Sequence, residues 1–143
     1  MLIGGLAARL LGSPTVTDDL DICHARDRVN LERLAQVLNT MNAVLRGAED
    51  VQIQIDAGFL ASADNSTLST DFGQLDCLAV PAGVDGFEQL SRNAAKVDLG
   101  GIEIMVASLT DLMVMERTAG HPKDLIELEI LGALEEEIGK EPV

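Results

Sequence analysis

Asp19-Leu20-Asp21-Ile22-Cys23 carries the strongest structural signal in the chain. The segment alternates acidic and apolar residues, and this period of two is typical of a β-strand with one buried face. Successive side chains of a strand point to opposite faces, so Asp19 and Asp21 share one face while Leu20 and Ile22 share the other. We therefore predict a half-buried strand that presents two carboxylates on the same side.

A Gly-Gly pair lies thirteen residues before this strand. The segment 1–3 has the composition of a strand end and 6–11 that of a helix, so Gly4 and Gly5 are predicted to join the two. Glycines let backbone N–H groups approach a phosphate closely, and a helix N-terminus favours negative charge. Both glycines are therefore candidate triphosphate contacts. Ser13, in a Gly-Ser-Pro segment that ends the helix, is a further candidate phosphate contact, although helix termination is its simpler role.

A third aspartate lies in the apolar segment 74–80, which we predict to be a buried strand with Asp76 as its single charge. Nucleotidyl transfer depends on divalent cations held between the attacking and leaving oxygens, and Mg²⁺ prefers carboxylate ligands. Two carboxylates on one strand and a third from a neighbouring strand would supply such ligands. Asp19, Asp21 and Asp76 are therefore the predicted catalytic and Mg²⁺-binding residues.

The other elements are predicted from hydrophobic periodicity and turn residues. Helices are predicted over 30–44, 85–96 and 109–119, the last with Ser108 as its cap, and a final helix begins at Pro122. A short strand is predicted over 51–56, a hairpin over 97–107 around Gly100-Gly101, and 62–70 reads as a polar connection. These elements predict an α/β (α+β) fold: a single domain over 1–143 with a small mixed β-sheet flanked by helices, C-terminal helices, and the site along one sheet edge.

The composition limits the partners that we expect. With 47% apolar residues the chain can bury one core, while its formal charge of −14 opposes broad electrostatic binding to nucleic acid. We find no apolar segment long enough to span a bilayer and no secretory signal, and we expect a cytoplasmic protein with no membrane contact. Cys23 and Cys77 lie in apolar segments and are predicted to be buried thiols.

The order of these motifs resembles the DNA polymerase beta-like nucleotidyltransferase superfamily. Its signature is matched by Ile3-Gly4-Gly5 followed, after thirteen residues, by Asp19-Leu20-Asp21-Ile22. The chain is most similar to small bacterial nucleotidyltransferases of the abortive-infection and toxin-antitoxin kind. Three further matches to that group occur in order: Thr17-Asp18-Asp19-Leu20-Asp21, Thr70-Asp71-Phe72-Gly73-Gln74-Leu75-Asp76 and Ala119-Gly120-His121-Pro122-Lys123-Asp124. The resemblance covers nearly the whole chain.

The resemblance implies a nucleotidyltransferase fold and the Mg²⁺-dependent transfer of a nucleoside monophosphate from an NTP to an acceptor hydroxyl. Asp19 and Asp21 would hold both metal ions, and Asp76 would bind one of them and help to activate the attacking oxygen. Lys123 would contact the nucleotide phosphate or the acceptor. The expected acceptor is a tRNA end or a protein, and the expected setting is a toxin-antitoxin pair with a cognate antitoxin or toxin as partner.

Several departures from the group leave alternatives open. Thr15, Glu116 and His121 stand where members of the group often carry basic residues. Relatives also have a helix and a full first strand ahead of the glycine pair, so we expect the N-terminus to be truncated. One alternative is a catalytically silent nucleotidyltransferase-fold protein that acts as a regulatory or antitoxin-like partner. Another is a small-molecule, aminoglycoside-type nucleotidyltransferase, which the acidic composition suits better than RNA.

Overall fold

Seven strands and six helices make up the part of the chain that the computed structural model describes, residues 1–120 and 122–140, with the side chains of 122–125 and 140 excluded. The strands are β1 (Leu2–Ile3), β2 (Leu20–Cys23), β3 (Val44–Leu45), β4 (Asn65–Thr70), β5 (Gly73–Leu78), β6 (Ala95–Leu99) and β7 (Ile102–Val106). The helices are α1 (Gly4–Leu10), α2 (Arg28–Thr40), α3 (Ala57–Ser62), α4 (Phe87–Ser91), α5 (Leu109–Ala119) and α6 (Pro122–Lys140).

All seven strands form one open, mixed sheet with the order β3-β4-β5-β2-β1-β7-β6. The β2–β5 and β1–β7 pairs are parallel, and the other neighbours are antiparallel. The predicted mixed sheet flanked by helices is therefore confirmed. Asp21 and Asp76, which were predicted to lie along one sheet edge, are instead on the central strands β2 and β5, with β1 continuing the sheet on one side and β4 on the other.

Two apolar clusters hold helices against this sheet. One cluster joins α1, β1, β7, α5 and α6, and its buried residues include Ala7, Val106, Leu112 and Leu131. The other packs α2 and α3 against β4 and β5. Its buried residues are Leu31, Ala35, Leu38, Ile55, Leu60, Leu68, Leu75 and Cys77. The two clusters lie on either side of the central strand β2, which contributes Cys23 to the first.

Elements with strong local signals are confirmed. The side chain of Ser108 accepts a hydrogen bond from the backbone N–H of Asp111 at 3.1 Å, and α5 ends at Gly120 in the left-handed conformation. The hairpin of β6 and β7 turns at Gly100 and Gly101, which both have positive φ angles. A helix does begin at Pro122.

Three other predictions need correction. The segment 51–56 forms no strand; instead, Asp56 caps α3 by accepting a hydrogen bond from the N–H of Phe59 at 2.8 Å. The predicted polar connection 62–70 contains strand β4, whose residues pair with β5. The helix predicted over 85–96 is limited to Phe87–Ser91, because Ala95–Leu99 pairs with β7.

The helix predicted over 30–44 also has different bounds. It begins at Arg28, since the Asp27 side chain accepts a hydrogen bond from the N–H of Asn30 at 3.0 Å. It ends at Thr40 because Asn42 has a φ of 52° and turns the chain towards β3.

Both cysteines are buried and free, as predicted. Within the described residues, no helix combines the length and the apolar character needed to cross a membrane.

Candidate functional site

A row of side chains crosses the centre of the sheet on one face. Asp21 pairs with Ile3 on one side and with Asp76 on the other, and Asp76 pairs in turn with Thr67. Directly paired residues of neighbouring strands project from the same face, and the strands lie about 4.8 Å apart. The pairing of β2 with β5 therefore brings the predicted acids Asp21 and Asp76 side by side.

The opposite face of the same strands is apolar. Leu68, Leu75 and Cys77 alternate with the polar row and are at most 5% exposed. They pack among the buried residues of α2 and α3. This burial fixes the register, since a shift of one residue would move the acids into the apolar cluster.

Gly4 lies directly beside Asp21. It has a φ of +71°, and a Cβ atom built on it would collide with Oδ2 of Asp21. A Cβ on Gly5 would lie 3.1 Å from the Cβ of Thr17. The glycine pair therefore lets the start of α1 approach both the aspartate and the segment that precedes β2. It joins strand and helix as predicted, and its contact with a triphosphate remains a prediction.

Asp19 lies one residue before β2, at the exposed end of an irregular segment. The hydroxyl of Thr17 accepts a hydrogen bond from the backbone N–H of Asp19 at 3.3 Å, and this contact shapes the segment. The strand predicted over 19–23 therefore begins one residue later in the structure, at Leu20.

Two adjoining cavities contain the three predicted acids. A cavity of about 210 Å³ is lined by Gly4, Gly5, Thr15, Val16, Thr17, Asp19, Asp21, Glu116 and Glu127. A second of about 350 Å³ is lined by Ile3, Gly4, Asp21, Asp76, Leu78, Pro81, Ala82, Leu112, Met115, Glu116 and Ala119. Gly4, Asp21 and Glu116 line both, so the cavities meet at Asp21. Their described linings contain several carboxylates and no Lys or Arg.

Ser13 lies outside these two linings. It is 4% exposed, and its hydroxyl donates to Oγ1 of Thr15 at 3.1 Å. Thr15 in turn donates to Oε2 of Glu127 at 2.6 Å. This chain of hydrogen bonds ties the end of α1 to α6 and places the Glu127 carboxylate in the first cavity. A contact of Ser13 with phosphate remains a prediction.

One predicted contact, that of Lys123, and one departure from the family pattern, His121, lie at the start of the last helix. Lys123 is in α6, but its side chain lies outside the described residues, as does all of His121. The contact of Lys123 with a phosphate or an acceptor therefore also remains a prediction.

Arg46 is a site residue that the sequence analysis did not identify. It follows β3, and its Nη2 donates to Oδ1 of Asp76 and to the backbone carbonyl of Leu68, both at 2.9 Å. The side chains of Arg46 and Asp76 are 28% and 25% exposed. No local pattern marks Arg46, because its approach to Asp76 depends on β3 and β4 joining the sheet next to β5.

The residues fit a divalent cation in chemistry and backbone placement. Carboxylate oxygens suit Mg²⁺, and the register sets Asp21 and Asp76 next to each other beside a glycine. Nevertheless, in the part of the chain described, no three His, Cys, Asp or Glu side chains are already arranged around a metal position. The ion pair with Arg46 engages Oδ1 of Asp76, so an ion shared by Asp76 and Asp21 would have this guanidinium beside it.

The nearby thiols and the buried imidazole have perturbed pKa values. Burial, with a smaller effect from Asp76, raises the pKa of Cys77 to about 12, and burial raises that of Cys23 to about 11. Both thiols therefore stay protonated near neutral pH and are poor nucleophiles. Burial also lowers the pKa of His24, whose Nδ1 lies 3.2 Å from the carbonyl oxygen of Ala25, so this imidazole is neutral near pH 7.

Neither protein-family models nor curated proteins give a match to this chain. The functional conclusion therefore depends on the residues of the acidic cleft and on the sequence pattern that predicted them.

Proposed function

We propose that this chain is a Mg²⁺-dependent nucleotidyltransferase that moves a nucleoside monophosphate from an NTP to an acceptor hydroxyl. The observation that carries the proposal is the direct pairing of Asp21 with Asp76 beside Gly4. Two carboxylates from different strands are thereby held at one point of an open cleft. The strand, Gly-Gly, helix and acidic strand that surround this point follow the order of the nucleotidyltransferase fold, which we include in the proposal.

Each site residue has a role in this reaction. Asp19 and Asp21 would bind the metal ions, and Asp76 would bind one ion and accept the proton of the acceptor hydroxyl. Bound Mg²⁺ would neutralise charge that develops on the transferred nucleotidyl phosphate and on the pyrophosphate that leaves. Gly4 and Gly5 would seat the triphosphate, because side chains at these positions would fill the space beside Asp21 and Thr17. Ser13 and Lys123 are secondary candidates for phosphate contact.

The proposed acceptor is a tRNA end or a protein, in a toxin-antitoxin pair with a cognate toxin or antitoxin. A protein side chain suits the charge of the molecule better than RNA does. With a formal charge of −14, the chain repels a polyanion at long range.

The carboxylates of the cleft favour a second candidate, a small cationic acceptor of the aminoglycoside type. Asp19, Asp21, Glu116 and Glu127 line the first cavity, and no Lys or Arg is among its described lining residues. The carboxylates of Asp19 and Glu127 would attract the amino groups of such an acceptor.

The Arg46–Asp76 ion pair favours a third candidate, a catalytically silent regulatory or antitoxin-like partner. In that case the pair would be permanent, and the carboxylate would never bind a metal ion. Stable engagement of a toxin would then be the function of the fold.

Labelled nucleotides separate these candidates. The protein is incubated with each labelled NTP and Mg²⁺, in parallel with total tRNA, a cognate protein or an aminoglycoside, and the labelled product is identified. We expect label on one acceptor class, and loss of label with Asp21→Asn or Asp76→Asn. The absence of both label transfer and NTP binding would reject the enzyme and support the silent partner.

A further inference from the structure

The Arg46 side chain reaches across one strand to contact an acid on the next. Arg46 follows Leu45, and its backbone N–H donates to the carbonyl of Thr67 on β4 at 3.0 Å. Asp76 lies on β5, directly paired with Thr67. The guanidinium therefore passes over β4 to reach Asp76 on the face that also carries Asp21.

The guanidinium is held at two points and lacks a partner at a third. Nη2 donates both to Asp76 and to the carbonyl of Leu68, while Nε is buried and has no hydrogen-bond partner. A buried N–H without a partner is unfavourable. The position of Arg46 that pairs with Asp76 therefore leaves the Nε–H of the arginine unsatisfied, which lowers the stability of the ion-paired arrangement.

A metal ion and Arg46 would both bind the carboxylate of Asp76. The ion pair supplies a positive charge to Asp76 when no cation is bound. A divalent cation shared with Asp21 would supply more positive charge, and a guanidinium at the same carboxylate would repel it. The Arg46 guanidinium and a divalent cation therefore compete for the Asp76 carboxylate.

We propose that Arg46 is a positioning residue that holds the Asp76 carboxylate in an ion pair until a divalent cation displaces the guanidinium. The inference rests on the proposed function for the identity of the ion, but it concerns metal binding and not transfer. Opening of the Arg46–Asp76 pair is then a step in forming the metal site.

Metal affinity tests this competition without any substrate. Mn²⁺, used as a spectroscopic substitute for Mg²⁺, is titrated into the wild type and Arg46→Gln while free Mn²⁺ is followed by electron paramagnetic resonance. We expect Arg46→Gln to bind Mn²⁺ roughly two- to fivefold more tightly than the wild type, the size expected for a partly exposed ion pair.

A charge-matched control removes the general electrostatic effect. Arg28→Gln also deletes one positive charge, from an exposed arginine that pairs with Glu32 on α2. The gain with Arg46→Gln must exceed the gain with Arg28→Gln, and it must disappear in an Asp76→Asn background. Equal gains for the two variants, or a gain that persists without the Asp76 carboxylate, would overturn the inference.

A second measurement needs only the wild type, in case Arg46→Gln does not fold. The side-chain Nε–Hε resonance of Arg46 is followed by nuclear magnetic resonance during a Mg²⁺ titration, with that of Arg28 as the reference. We expect the Arg46 signal to shift with the same midpoint as the Asp21 signals. An unchanged Arg46 signal at saturation, or no ion binding at all, would contradict the inference.

The outcomes separate this inference from the proposed function. Coupling between Arg46 and Asp76 in metal binding, with no nucleotide transfer, would support the positioning role and reject the transferase. Nucleotide transfer by the wild type, with equal metal affinities for Arg46→Gln and Arg28→Gln, would support the transferase and reject the positioning role of Arg46.

Discussion

The two faces of the strands β4, β5 and β2 differ in nearly every respect, although they are built from alternate residues of the same segments. One face carries Leu68, Leu75 and Cys77 and is buried beneath α2 and α3. The other carries Thr67, Asp76 and Asp21 and lines or borders an open cleft. Adjacent residues of each strand therefore serve different purposes, one in the buried core and the next in the proposed site. Substitutions on the buried face should change the free energy of unfolding, and substitutions on the other face should change nucleotide transfer.

The largest expected effect is on the buried face. Leu68 is fully buried, so Leu68→Ala should lower the free energy of unfolding by about 2–5 kcal/mol, through lost burial and the cavity left behind. Urea denaturation measures this change. Thr67→Ala, one residue away on the exposed face, should change it by less than about 0.5 kcal/mol. Similar losses for both variants would mean that the two faces are not separated in this way.

The second effect is on the polar face. Asp21→Asn should reduce nucleotide transfer by about a hundredfold or more, since a metal ligand contributes several kcal/mol to the transition state. Asp50→Asn removes the same charge from an exposed turn away from the cleft and should leave transfer unchanged. An equal loss of transfer in the two variants would point to net charge instead of to the site.

Alkaline pH should give the next effect, a loss of stability through the two buried thiols, Cys77 in the cluster under α2 and α3 and Cys23 in the other cluster. Burial raises the pKa of Cys77 to about 12 and that of Cys23 to about 11, above the ordinary thiol value of 9.0. The unfolded chain therefore loses these protons first as the pH rises. The contribution of both thiols to the free energy of unfolding is fully present below pH 9. It is lost between pH 9 and about 11 for Cys23 and between pH 9 and about 12 for Cys77, by at most about 1.4 kcal/mol per pH unit for each thiol.

Denaturation curves across that pH range measure this slope. Cys77→Ala should show a shallower alkaline decline than the wild type, because one of the two thiols no longer titrates. A parallel decline in both proteins would show that Cys77 does not contribute.

The smallest expected effect distinguishes backbone strain at a glycine from the close approach of Gly4 to Asp21. Gly4 and Gly100 both have positive φ angles, and alanine in this conformation costs about 1–2 kcal/mol. Nothing lies within 4 Å of a Cβ at Gly100, whereas a Cβ at Gly4 would collide with Asp21. Gly4→Ala should therefore destabilise the protein somewhat more than Gly100→Ala in thermal unfolding, and should also weaken Mn²⁺ binding. If Gly100→Ala weakened Mn²⁺ binding equally, contact with Asp21 would not be the cause.

Local chemistry made much of the fold predictable from the sequence. The alternation 19–23 predicts that Asp19 and Asp21 lie on one side of β2 whatever strands pair with it, because the period of a strand is an intrinsic property of extended backbone. The glycine turn of the β6–β7 hairpin and the Ser108 cap were predicted for the same reason, since each depends on a few adjacent residues. The segment 51–56 shows the limit of such patterns: it alternates like a strand, yet no partner strand pairs with it, and Asp56 caps a helix instead.

The sequence by itself determined which residues carry the acidic groups and which faces of their strands they occupy. Only the tertiary structure decided that β5 lies beside β2, so that Asp76 meets Asp21, and that β3 and β4 extend the sheet, so that Arg46 reaches Asp76. Strand pairing joins residues far apart in the chain, and its register is set by the packing of whole apolar faces, which no local pattern specifies.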